Sequence, residues 1–178
     1  MPSADSTASV RGTWRRFRRN RRGSAVVEFA LVAPAFFALL FAIIETGIMF
    51  LASQVLESVD QSSARMILTG QAQSQSYTQT QFKNYVCSQV PALFTCGNIY
   101  VDVQNYPTFA NITISQVDFN NMHYSPGNAC DIVVVKLAYA WPLFVTGLGY
   151  NISNWTGNTR LLVATAAFKN EPYNGQCP

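Results

Sequence analysis

A chain of 178 residues is long enough for one ordinary domain plus a terminal segment, which excludes a large multidomain enzyme. Its hydrophobic share of 49% and net charge of +3 are unevenly spread: residues 1–23 carry seven arginines against one acid, Asp5, and the remainder carries five basic and eight acidic residues. The basic character therefore belongs to a short tail and not to the body of the chain.

Residues 1–13 are small and polar, the composition of a segment that cannot bury a core. Next come Arg15, Arg16, Arg18, Arg19, Arg21 and Arg22. Such a run fits either nucleic acid or membrane topology. An apolar segment begins a few residues later, which favours topology. Arginines resist crossing a bilayer, hold their end cytoplasmic and attract anionic head groups. Membrane lipid is the expected partner of this tail, and nucleic acid is not. Trp14 suits a head-group level or simply a loose basic tail.

The segment Ala25–Ala52 reads AVVEFALVAPAFFALLFAIIETGIMFLA, and Phe29–Ile44 is without a charge. From Phe29 to Ala52 the 24 residues make about 36 Å of helix, enough for a hydrocarbon core of roughly 30 Å. A buried core helix of this character needs a larger body than the remaining 126 residues supply. A cleaved secretory signal is the main rival. It is disfavoured by the length of the run and by the lack of a small-x-small site beyond it. Pro34 removes a backbone donor and predicts a kink near residues 30–34. Glu45 sits late in the run: near an interface it reaches water, and deeper it needs a partner and becomes an intramembrane or interface contact.

Helix is predicted to continue to Thr69, with Val55, Leu56, Val59, Ala64, Met66 and Ile67 forming an apolar stripe and Glu57, Asp60 and Gln61 on other faces. Gly70 is a stop signal. Residues 70–80 are polar and uncharged, a linker or a solvent-facing turn, and Gln81–Gln89 predicts a short helix limited by Pro91. Alternating or β-branched runs then predict four strands, at Ile99–Val103, Ala110–Phe119, Asp131–Leu143 and Arg160–Lys169. With little helix between them they form an antiparallel sheet whose apolar face needs a cover, and the stripe on the long helix is the natural one.

Cys87, Cys96, Cys130 and Cys177 allow three pairings. No close Cys pair suggests zinc. If the arginines stay inside, the sheet lies in an oxidising compartment where disulfides persist. Cys87–Cys96 and Cys130–Cys177 is the favoured pairing, each bond contributing about 2–4 kcal/mol. The single histidine, His123, lies in a polar loop. No phosphate-binding loop, zincin or nucleophile-elbow motif occurs, so neither an enzyme nor a cofactor or metal site is expected. Sequons at Asn111, Asn151 and Asn154 matter only in a glycosylating host.

The run Arg21-Arg22-Gly23-Ser24-Ala25-Val26-Val27-Glu28-Phe29-Ala30 resembles the N-terminal signature of TadE-like pilus assembly proteins, pseudopilins of the tight-adherence (Flp-type IV) pilus. The likeness continues through Leu31-Val32-Ala33-Pro34, through Ile43-Ile44-Glu45-Thr46-Gly47, and again at Ala167–Pro172. It implies prepilin peptidase cleavage between Gly23 and Ser24, loss of the arginine tail, and a role for Glu28 and Phe29 in subunit pairing. Glu28 would meet a neighbouring subunit's N-terminal amine, since a carboxylate in an apolar surround is costly unless partnered. Expected partners are prepilin peptidase and pilin, other pseudopilins or the inner-membrane assembly platform.

Taken together, the sequence predicts a pilin-like α+β protein. Residues 1–23 form a basic cytoplasmic leader, 24–52 a transmembrane helix, 53–69 its extension, 70–80 a linker and 81–178 a disulfide-braced periplasmic domain. It is expected in the bacterial inner membrane, single-pass, as a minor pseudopilin or assembly factor. The alternative is an envelope binding module that is anchored but never processed.

Overall fold

The computed structural model describes residues 23–112, 117–145, 150–173 and 177. The arginines of the leader lie outside these residues. The chain divides between Ile43 and Ile44 into two compact units.

One element, α1 (Ser24–Leu68), contributes to both units. It passes through Pro34 without ending there. In the first unit its side chains are exposed almost throughout: Val26, Phe29, Leu31, Phe36 and Leu39 all face outward. Phe37 packs only locally, with ring centroids 5.6 Å from Phe36 and 6.4 Å from Phe41. α1 is the one helix among the described residues long and apolar enough to cross a membrane.

The second unit is α+β. After α1 come a single turn α2 (Gln71–Ser74), α3 (Gln79–Gln89), β1 (Ile99–Tyr106), β2 (Ile132–Pro142) and β3 (Thr159–Lys169). The strands form one antiparallel sheet in the order β1-β2-β3. Thr78 caps α3: its hydroxyl accepts from the Gln81 amide while the Gln81 side chain accepts from the Thr78 amide.

Register explains the core. Ile99, Val101 and Val103 of β1 stand opposite Tyr139, Leu137 and Val135 of β2. Leu162 and Ala164 of β3 continue the same face. That face buries Met49, Ala52, Leu56, Val59, Ala64 and Ile67 of α1 together with Phe82 and Val86 of α3. β2 is buried over most of its length, with β1 and β3 pairing along both of its edges. On the opposite face Tyr100 leads into an edge-on aromatic chain, 4.4 Å to Phe119 and on to Trp155 at 5.2 Å.

Two sequence expectations change. The sheet has three strands among the described residues, not four. At the start of the second expected strand, Ala110–Phe119, Phe109–Asn111 is a 3-10 turn, and Asp118 accepts from the Asn120 amide at 3.0 Å in a turn at its end. Short polar side chains there compete with ladder bonding. Residues 113–116 lie outside the described set. The polar stretch after Gly70 is partly interior: Ala72 is buried, and Gly70, at φ 74°, lies so close to the Tyr173 ring that a Cβ would stand 2.4 Å from it.

Two disulfides brace the unit. Cys87–Cys96 ties the end of α3 to the approach to β1, and Cys130–Cys177 ties the residues before β2 to the chain end, each with Cα atoms 5.5 Å apart. The second closes a separation of 47 residues, where the chain-entropy gain is larger.

Candidate functional site

The residues singled out in the sequence fall along α1 in three places. At its start, Gly23 is exposed in a 3-10 turn, with nothing within 4 Å of where a Cβ would be. Ser24 is the first helical residue. Glu28 follows it by four residues, one helical turn on, and is exposed, as is Phe29 at 68%. Gly23 and Glu28 are thus both exposed, with the exposed apolar side chain of Phe29 beside Glu28. Exposed Pro34 lies two turns further along.

The second place is Glu45. It is 7% exposed although the helix around it carries outward apolar side chains. Its carboxylate accepts the backbone N–H of Phe144 through one oxygen and that of Val145, at 3.0 Å, through the other. Both donors lie in the loop after β2. One residue along, the Thr46 hydroxyl bonds the Tyr150 hydroxyl. Glu45, expected either to reach water near an interface or to need a partner deeper in, has these two amides as partners. Charge-assisted bonds to backbone N–H groups are among the stronger ones, and both oxygens are used.

The third place escaped the sequence reading. Asp60, expected on a face other than the apolar stripe, is fully buried, and so is Ser63. Among the described residues, neither carboxylate oxygen of Asp60 nor the Ser63 hydroxyl has a hydrogen-bond partner. The signal was present: Leu56, Asp60, Ser63 and Ile67 are spaced by four, three and four, the interval of one helix face. Burial pushes the Asp60 carboxyl up from 3.8 to about 7, and neighbouring Glu57 adds to the effect. His123 remains in a loop, its amide 2.9 Å from Asp102 Oδ1.

The folded Asp60 value lies above the unfolded one. Between them the unfolded chain has released the proton and the folded chain keeps it, so stability falls as pH rises from about 4 to about 7 and then levels. Asp60→Asn is expected to remove that slope, raising the melting temperature by several degrees at pH 8 and little at pH 4. Parallel pH profiles for the two proteins would contradict this.

Glu45→Ala leaves two amides without their acceptor, at a cost on the order of 1–3 kcal/mol for each group left buried. The expected result is faster hydrogen exchange at Phe144 and Val145, with the amides of β2 unaffected. Unchanged exchange at both would show that the carboxylate does not hold the loop.

The TadE-like protein family model matches residues 23–65. These are 43 of 178 residues, and they include Gly23, Ser24, Glu28, Pro34, Glu45 and Asp60 but no residue of the sheet or of either disulfide. No curated protein and no solved structure gives a significant match.

Proposed function

We propose that this protein is a minor pseudopilin or assembly factor of a tight-adherence pilus, anchored by α1 through residues 24–52 and acting through helix packing. The role is structural and not catalytic. The observation that carries the reading is the coincidence of the TadE-like match with a helix that begins at Ser24 and exposes large apolar side chains for its first five turns. A helix apolar all round is suited to lipid or to other helices and not to water.

In this reading the leader arginines keep the N-terminus cytoplasmic, and the disulfide-bonded unit lies in the oxidising periplasm. Prepilin peptidase cuts after Gly23, where the backbone is accessible. The new amine at Ser24 lies one turn from Glu28, so a neighbouring subunit's amine and this carboxylate can neutralise each other where an isolated charge is costly. Pilin, other pseudopilins or the assembly platform supply the partner helices.

The test is the mass of the mature N-terminus in cells with and without prepilin peptidase, combined with Glu28→Ala. A chain beginning at Ser24 only when the peptidase is present, and a loss of surface pili in the Glu28 variant with the protein still made, are the expected results. An intact arginine tail together with normal piliation would favour an unprocessed, membrane-anchored envelope module instead.

A further inference from the structure

Between Ile44 and Ala52, α1 has two unlike sides. Glu45, Met49 and Ala52 are buried in the second unit, whereas Ile44, Ile48, Phe50 and Leu51 are 47%, 41%, 63% and 58% exposed. Ser53 and Gln54 are the next polar residues after Thr46. A water boundary below Ile48 would leave three of those large apolar side chains in water, so the apolar side places the boundary near Leu51.

The loop after β2 is fixed at a lower level. Its amides at Phe144 and Val145 are held by Glu45, six residues before Leu51, or about 9 Å along the helix axis. Head-group regions add roughly 5–8 Å on each side of the hydrocarbon core. The loop therefore reaches the level where head groups meet acyl chains.

Its chemistry suits that level. Phe144 is 82% exposed, the most exposed large apolar side chain of the described residues. The backbone beneath it offers no unpaired donor. Pro142 has none, the Leu143 amide donates to the Asn158 carbonyl at 3.0 Å, and those of Phe144 and Val145 donate to Glu45. Irregular backbone near hydrocarbon is tolerated only when its polar groups are satisfied within the protein. Tyr150, its hydroxyl bonded to Thr46, adds an interface-type residue beside the loop.

We propose that Phe144 inserts into the lipid interface of the bilayer that α1 crosses, so that the loop at residues 142–145 is a second membrane contact. This rests on α1 being the anchor. Glu45 then acts as the loop's internal acceptor, and by taking up two amides it allows an apolar loop tip to enter lipid.

All four cysteines are in disulfides, so an introduced cysteine is the one free thiol. Spin labels at Phe144→Cys, at Leu39→Cys in the apolar stretch and at Gln75→Cys, beyond the far end of α1, are compared in full-length protein. The bilayers are nanodiscs of phosphatidylethanolamine and phosphatidylglycerol. Relaxation by oxygen relative to a water-soluble nickel chelate is expected to be severalfold higher at 144 and 39 than at 75. A ratio at 144 equal to that at 75, with 39 in lipid, overturns the loop proposal and leaves the anchor intact. A water-like ratio at 39 overturns both. Spin–spin broadening at 144 that disappears on dilution with unlabelled chain assigns the surface to a second copy and also overturns the proposal.

Discussion

An antiparallel sheet of three strands with one strongly apolar face is unstable until that face is covered, and the cover here is the helix that precedes it. Residues Met49 to Ile67 of α1 lie against β1, β2 and β3 with help from α3. Everything else in the second unit follows from that packing. Gly70 ends the helix, α2 and Thr78 redirect the chain, and α3 brings Phe82 and Val86 onto the same core. The disulfides restrain the two places where the chain leaves this core for loops.

One helix carries both an exposed apolar stretch and a face of the folded core, and two of its acids have unlike surroundings. Glu45, inside an apolar run, has two backbone donors, one on each side-chain oxygen. Asp60 is buried among core residues with no donor among the described residues, and its carboxyl holds its proton to a higher pH. The difference lies in the neighbouring backbone. A loop end such as 143–145 has amides not used in a ladder, whereas β-strand amides facing the middle of α1 are already paired within the sheet.

These contrasts mark the limit of what the sequence makes legible. The long helix could be read from an unbroken apolar run followed by three- and four-residue spacing, and the stripe containing Leu56, Val59, Ala64 and Ile67 is the buried one. β2 announces itself through Ile132–Val135, and β3 through alternation over Leu162, Ala164 and Ala166. Alternation also suggested a strand at 110–119, where turns built by Asn111 and Asp118 occupy the ends: a local pattern cannot weigh side-chain bonds against a ladder partner. Asp60 carries a surface-type charge, but its spacing of four from Leu56 and seven from Ile67 puts it on the buried face. Glu45 could be identified as requiring a partner, but its donors lie 99 and 100 residues away, a separation no local periodicity encodes.

The TadE-like match ends at Arg65, yet it spans most of the helix face on which the sheet packs. That face asks little of its partner beyond apolar side chains of suitable volume at alternate strand positions, because cores tolerate volume-conserving exchange. The apolar helix surface before Ile44 asks for another helix or for lipid, and the Glu45 carboxylate asks for two amides. These unequal demands are consistent with a family match that ends on the helix, short of the sheet. The constraints that have a fixed chemical form sit on α1, and those that sit on the strands can be met by many sequences.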